Sequence, residues 1–256
     1  MSHIAIEFSN VCKKFNKSEC NVVDNVSLTI EEGEFITVLG SSGSGKTTLL
    51  KMINRLYEPN EGKIMLFGEE IKSVDVVNLR RSIGYVIQQV GLFPHMTIAE
   101  NIATVPKLLK WSKEKIDARV EDLLFLVGLN PKEFKKRFPS QLSGGQQQRI
   151  GLARALAIDP KIMLLDEPFG AIDAITRMNL QDELLRIHGG LKKTFLFVTH
   201  DINEAFKLGT RVIIMNNGRV CQFDTPRNIV QNPADDFVSS LITSSREQEQ
   251  FWEGIV

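Results

Sequence analysis

The chain has 256 residues, 43% hydrophobic and 24% charged, the make-up of an ordinary soluble globular protein with room for one large α/β domain. Lysine plus arginine and aspartate plus glutamate both number 31, so no cationic excess points to a nucleic-acid partner. No run approaches the roughly 18 apolar residues of a membrane helix, and the start lacks a signal-peptide pattern, so a soluble, cytosolic chain is expected. Cys12, Cys20 and Cys221 show no Cys-x-x-Cys spacing, which excludes a disulfide framework or a zinc site; buried, reduced thiols are expected.

Ile4, Ile6 and Phe8 alternate with polar residues, as in a half-buried strand, and residues 26–30 repeat that pattern before a turn at Glu32-Gly33. Residues 35–39 are an apolar run that predicts a strand buried on both faces. Next comes Gly40-Ser41-Ser42-Gly43-Ser44-Gly45-Lys46-Thr47, followed by a helical pattern over 48–56 with Leu49, Ile53 and Leu56 on one side. Strand, Gly-x-x-x-x-Gly-Lys-Thr, helix is the pattern of a phosphate-binding P-loop. Its glycines let successive N–H groups turn inward around an anion, at a helix N-terminus whose dipole also favours phosphate. Lys46 adds a point charge for the β- and γ-phosphates, and the Thr47 hydroxyl can ligate magnesium.

Glu58-Pro59-Asn60-Glu61-Gly62 is turn chemistry, followed by strand patterns at 63–67 and 83–87, the latter ending at Gln88-Gln89. Thereafter Thr97-Ile98-Ala99-Glu100 is a capping box, and Ile116, Val120, Leu123, Leu124 and Val127 make one apolar helix face stopped by Gly128. Residues 90–158 contain no convincing strand and predict an inserted helical subdomain. Strand patterns return at 161–165 and 194–198, alternating with helical patterns near 174–187 and 202–208, which argues for a parallel sheet. Asn216-Asn217-Gly218 between 211–215 and 219–223 is a hairpin signal. The tail, 235–256, is polar apart from Phe237, Leu241, Ile242 and Phe251-Trp252, and is expected to end without another domain. The nucleotide-binding core with its β subdomain is thus placed at 1–89 and 159–234.

Leu142-Ser143-Gly144-Gly145-Gln146 opens a second helix, with Ser143 and Gln146 in capping-box positions. The segment alone leaves two readings open, a plain capped helix or a second phosphate site. Leu164-Leu165-Asp166-Glu167-Pro168 is an apolar strand ending in two carboxylates. One acid at such an end can hold magnesium and its neighbour can polarise a water, unless both are merely solvated. His200 follows the next strand and can reach the same crevice or serve structure alone. Phe15, just after the first strand, can stack on adenine or pack an edge.

Together these motifs closely resemble the ATP-binding-cassette ATPases over nearly the whole chain. The resemblance implies a P-loop NTPase (RecA-like) α/β core with an antiparallel β subdomain and the inserted helical one. It implies ATP and Mg2+ as cofactors, with Gly40, Ser41, Ser42, Gly43, Ser44, Gly45, Lys46, Thr47 and Thr48 as the Walker A contacts. Ser143, Gly144, Gly145 and Gln146 match the family signature, Asp173 the D-loop (Ala171-Ile172-Asp173) and Phe15 the adenine-stacking position. Glu167, His200 and Gln88 take catalytic roles as general base, switch histidine and Q-loop; Thr47, Gln88 and Asp166 are the metal ligands. The implied partners are a second copy, head to tail with ATP at the interface, transmembrane permease subunits at the cytoplasmic face of the membrane, and indirectly an extracytoplasmic binding protein. Nucleic acid is not among them.

Met52-Ile53-Asn54-Arg55-Leu56, Ile83-Gly84-Tyr85-Val86-Ile87-Gln88-Gln89, residues 91–97 and residues 106–111 are similar to the osmoprotectant importers, which take up glycine betaine, choline and carnitine. That branch often continues into paired CBS regulatory domains, not found in this sequence, and commonly carries proline where Ala174 stands. An importer for amino acids or another small solute is the alternative. A soluble non-transport cassette ATPase or a nucleotide-gated regulator ranks below both.

Overall fold

In the computed structural model, which describes residues 3–16, 20–88, 91–170 and 172–253, the chain begins with β1 (Ile4–Lys13), β2 (Val23–Glu31) and β3 (Phe35–Gly40). α1 (Lys46–Ile53), β4 (Glu61–Leu66), β5 (Glu69–Glu70), α2 (Val76–Ser82) and β6 (Ile83–Val86) follow. Then come α3 (Ile98–Ile102), α4 (Thr104–Leu108), α5 (Lys113–Leu126), α6 (Pro131–Phe134) and α7 (Gly144–Ala155). β7 (Ile162–Asp166), α8 (Ala174–Leu191), β8 (Thr194–Thr199), α9 (Ile202–Leu208) and β9 (Arg211–Asn216) precede β10 (Arg219–Asp224), α10 (Pro226–Gln231) and α11 (Asp236–Glu253). Two compact units result: one joins Met1–Val76 to Thr194–Val256, and the other is Val77–Lys193.

In the first unit, β2, β1, β4 and β5 make an antiparallel sheet in that order. β2 shows why: Val23, Val26, Leu28 and Ile30 are buried while Asn25, Ser27 and Thr29 face out, the two-residue period of a strand with one covered face. β1 departs from its expected alternation. Its pairing with β2 shifts register between Ile4 and Ile6, so Ala5 and Ile6 are both buried and Ile4 is left 45% exposed.

β3 lies between β8 and β9 and runs parallel to both, and β10 returns antiparallel to β9. Every residue of β3 and β8 is buried, as the unbroken apolar runs require of strands covered on both faces. The rings of Phe35, Phe195 and Phe197 fill that layer, at centroid distances of 5.3 and 6.1 Å from Phe35. The β9–β10 hairpin turns at Asn217 (φ 46°) and Gly218 (φ 81°), the left-handed pair that a two-residue hairpin needs. Its tip is anchored: the Gly218 N–H donates to Ser44 O, and its carbonyl accepts from Asp24 N.

Some expectations give way to local physics. α1 stops at Ile53, where Asn54 caps it and Arg55 turns left-handed (φ 47°), so Leu56 is exposed rather than on the buried face. β6 ends at Val86 and Ile87 is exposed; Phe67 (φ 50°) lies in the turn after β4. No disulfide joins the thiols among the described residues, but Cys20 is exposed and Cys12 and Cys221 are only half-buried, Cys221 packing against the cluster that holds Ile229. The tail is helical: α11 docks through Val238 and Ile242 onto Leu39, Ala205 and Ile229. The side chains of Phe251 and Trp252, with Gln89 and Ala171, lie outside the described residues.

In the second unit β6 runs parallel to β7 with Tyr85 opposite Leu164. α2, unforeseen in the sequence, buries only Leu79, too little for an apolar period to register. All described elements between β6 and β7 are helical. Thr97 caps α3 and its Glu100 returns the bond, and α5 buries Ile116, Val120, Leu123 and Leu124 before Gly128 (φ 68°) ends the run.

The loop into α3 hangs on one fully buried side chain. Asn101 accepts from Phe93 N at 2.8 Å, and its amide group is within 3.0–3.1 Å of the Phe93, Met96 and Thr97 carbonyls. Replacing it by Leu strands several backbone groups, each costing about 1–3 kcal/mol when buried and unpaired. Asn101→Leu is expected to lower stability by about 3 kcal/mol. A urea midpoint unchanged from the parent protein would contradict that.

Candidate functional site

The phosphate loop of the first unit is shaped by close packing around it. A Cβ at Gly40 would lie 2.2 Å from Met215 O, and one at Gly45 would lie 2.3 Å from Val22 O, besides requiring φ +99°. Glycine is therefore imposed at both positions by neighbouring backbone as well as by the turn. The loop ends in α1, which begins at Lys46 with no side-chain cap and no acidic residue in its first turn. The positive end of its dipole therefore faces the loop with no side-chain oxygen against it. Ser44 Oγ is buried without a hydrogen-bond partner, an orphan polar atom inside the same loop. Lys46, also buried, folds back so that Nζ donates to Gly40 O and Ser41 O, both at 2.8 Å. An ammonium, a helix N-terminus without a side-chain cap and an orphan hydroxyl together fit a phosphate chain. Ser41, Ser42 and Gly43 are exposed at the loop crest, while Thr47 and Thr48 are half-buried in the first turn of α1.

β3 and β8 are in parallel register, Leu39 opposite Thr199, so His200 emerges at the same sheet end as Gly40. His200 is exposed, and Asp201 behind it caps α9 through the Asn203 and Glu204 amides. Phe15 is half-buried with its ring against the edge of Tyr57 at 5.0 Å and Lys13 Nζ at 5.2 Å. Edge packing and a face for a base are thus both available to it.

In the second unit β7 delivers Asp166 at its buried carboxyl end, where the Tyr85 hydroxyl approaches Oδ2 at 3.4 Å. Glu167 follows with φ 44°, a left-handed conformation before Pro168 that costs an ordinary side chain about 1–3 kcal/mol. That turn aims its carboxylate at Gln88, whose Nε2 donates to Oε2 at 3.3 Å. The structure therefore brings Gln88 and Glu167 together, though 79 positions separate them.

Ser143 caps α7, accepting from Gln146 N while Gln146 Oε1 accepts from Ser143 N. Asp173 caps α8, and the Thr176 amide, then the Thr176 hydroxyl, hold its carboxyl below the ordinary value. These two N-termini are neighbours: a Cβ on Gly145 would lie 2.6 Å from Thr176 Cγ2. Gly144 meets nothing within 4 Å, so an outside group can approach the backbone there. Capping and open access coexist, so both readings of this segment describe it. Arg149 and Glu183, which join α7 to α8 at 3.0 Å, carried no sequence signal, being far apart in the chain.

A family model described as ABC transporter matches residues 23–170. The carnitine transport ATP-binding protein OpuCA of Listeria monocytogenes serotype 1/2a is 54% identical over 94% of this chain and 60% of its own length. The glycine betaine/carnitine/choline transport ATP-binding protein OpuCA of Bacillus subtilis is 53% identical over 91% of this chain and 61% of its own. The chain thus spans about three fifths of the length of these relatives. Among solved structures, the ATP-binding cassette MJ0796, a dimer in a post-hydrolysis state bound to ADP and Pi, matches with a TM-score of 0.76 and 37% identity. That match covers 87% of this chain and 99% of the other. A P-loop, a signature helix and an acid-tipped strand in a mixed α/β fold, matched by that model over more than half its length, place the chain in the ABC transporter family.

Proposed function

We propose that the chain is the ATP-binding and ATP-hydrolysing subunit of an importer for quaternary-amine osmoprotectants such as glycine betaine, carnitine and choline. The single observation that carries the nucleotide part is the uncapped start of α1 behind a loop holding Lys46 and the orphan Ser44 hydroxyl. Lys46 exchanges its two carbonyl acceptors for β- and γ-phosphate oxygens, a charge-assisted and therefore stronger bond. Ser44 and the first-turn amides of α1 take the remaining oxygens, and Phe15 offers a ring face to the adenine.

Glu167 accepts the proton of the attacking water, its carboxylate steered by Gln88, and His200 contacts the γ-phosphate side. Thr47, Gln88 and Asp166 present hydroxyl, amide and carboxylate oxygens, a hard donor set that suits Mg2+. Held there, Mg2+ would supply positive charge against the phosphates. A second copy presents its own Ser143, Gly144, Gly145 and Gln146, with Asp173 beside them, to the same nucleotide. ATP then closes the pair and its hydrolysis releases it.

A groove of about 480 Å³ in the second unit supports a permease partner. Val105, Leu108 and Phe93 give it apolar walls, and Arg80, Arg81 and Arg154 give it positive charge. Burial lowers the pKa of Arg154, whose guanidinium reaches Gly91 O at 2.8 Å. The matching occupant is a short helical segment of a membrane subunit with an apolar face and an acidic end. The choice of solute rests on the relatives' names and on the 54% and 53% identity to them.

Glu167→Gln keeps shape and hydrogen bonding but loses the base, so ATP binding is expected to persist while turnover falls at least about 100-fold. The same variant is expected to elute as a dimer with magnesium and ATP. Near-normal phosphate release by it would remove Glu167 from this role.

Lys46→Ala loses a charge-assisted contact of roughly 1.5–3 kcal/mol, so nucleotide affinity is expected to fall by about one to two factors of ten. Ser143→Arg is expected to spare binding by the single subunit and block dimer closure. Equal losses of affinity in a calorimetric titration of both variants would rule out a two-copy site.

Deleting the gene is expected to abolish high-salt uptake of radiolabelled glycine betaine, carnitine or choline in a strain without other such systems. Complementation with Leu108→Glu should leave uptake absent although the purified variant still hydrolyses ATP. Unchanged uptake of all three solutes after deletion would sink the substrate assignment and leave the ATPase reading standing.

A further inference from the structure

We infer that Arg149 and Glu183 are positioning residues that hold the first turns of α7 and α8 as one rigid pair, so that Ser143 and Asp173 are presented together. The geometry stands by itself; its consequence for the dimer rests on the function proposed above.

α7 and α8 run in the same direction with their N-termini side by side. Gly145 faces Thr176 and Leu180, at 2.6 and 3.8 Å from where its Cβ would be, and one turn later Arg149 Nη2 meets Glu183 Oε2 at 3.0 Å. Positions 145 and 149 on one helix, and 176, 180 and 183 on the other, fall on facing stripes. Parallel neighbours place like ends of two helix dipoles together, which is repulsive. The ion pair supplies attraction across the same seam. With side-chain exposures of 28% and 13% it is mostly shielded from water.

The third helix closes on the pair. Arg149 Nη1 donates to Val127 O at 3.4 Å and Arg186 Nη2 to Leu126 O at 2.6 Å, both at the carboxyl end of α5. The turn that follows has no room to spare: a Cβ on Gly128 would lie 3.1 Å from Arg149 Nη1 and 3.2 Å from Glu183 Oε1. Burial raises the Glu183 pKa, while Arg149 and Arg186 pull it back towards ionisation. Three helices therefore meet at one charge pair. An ordinary surface ion pair, by contrast, would leave the helix ends to find their own positions.

Amide hydrogen exchange on the whole chain tests this. The informative amides are Gln146 and Gln147, bonded to Ser143, and Thr176 and Arg177, bonded to Asp173. Glu183→Gln is expected to speed exchange at all four by tenfold or more while β7 stays protected. The exchanged pair Arg149→Glu with Glu183→Arg should restore protection, and Arg149→Lys should fall between. No change at these amides, a rise spread evenly over residues 77–193, or a folded exchanged pair without recovery would overturn the inference. If Glu183→Gln does not fold, Arg149→Lys decides it at the same four amides. A functional arm adds Glu183→Gln to Glu167→Gln: ATP-driven dimerisation should weaken about tenfold with nucleotide affinity of the single subunit unchanged. A Glu167→Gln parent that fails to dimerise would count against the proposed two-copy site, with the exchange result still ruling on the pair.

Discussion

The first N–H groups of a helix have no partner within it, and most helices hide this deficit behind a serine, threonine or aspartate cap. α1 does not. Gly45 precedes it in a left-handed conformation and contributes no side chain, and the first turn holds no acid to balance the dipole. A start of this kind is kept clear of a capping side chain when neighbouring backbone crowds the loop. The close approach of Met215 O to Gly40 and of Val22 O to Gly45 does that. The sheet sets Met215 O there: β9 lies beside β3, and Met215 is opposite Gly40.

α7 and α8 treat the same problem differently. Both are capped, by Ser143 and Asp173, so neither N-terminus is in deficit when empty. Gly144 leaves the α7 backbone reachable, and a second anion source can be met without unmaking the cap. An uncapped end suits a ligand held throughout a cycle, whereas a capped one suits a ligand met and released. That division fits the two-copy site proposed above, with the nucleotide kept by one copy and visited by the other.

Much of this was legible in the sequence because it is written in short-range signals. The apolar runs at β3, β7 and β8, the Asn216-Asn217-Gly218 turn and the capping boxes at Thr97 and Ser143 each depend on neighbours within a few residues. What escaped depends on distance. The Ile4–Ile6 bulge arises from pairing with β2, the exposure of Leu56 from the left-handed Arg55, whose guanidinium reaches Ile71 O and Val74 O, and the Arg149–Glu183 pair from two helices with β7 between them in sequence. Likewise the Gln88–Glu167 bond follows from β6 lying beside β7, which no spacing along the chain could announce. In the tail the apolar residues Phe237, Leu241 and Ile242 are evident in the sequence without a helix being drawn through them, and with Val238 they form the stripe that docks α11.

The anchor between the hairpin tip and the phosphate loop bears on how the protein is made. Gly218 N–H holds Ser44 O, and Met215 O crowds Gly40, yet both are added long after the loop has left the ribosome. The nascent loop therefore lacks its brace until β9 and β10 have been added. Competence to grip a nucleotide is conferred late, and a chain truncated before the hairpin carries the complete motif without the means to use it.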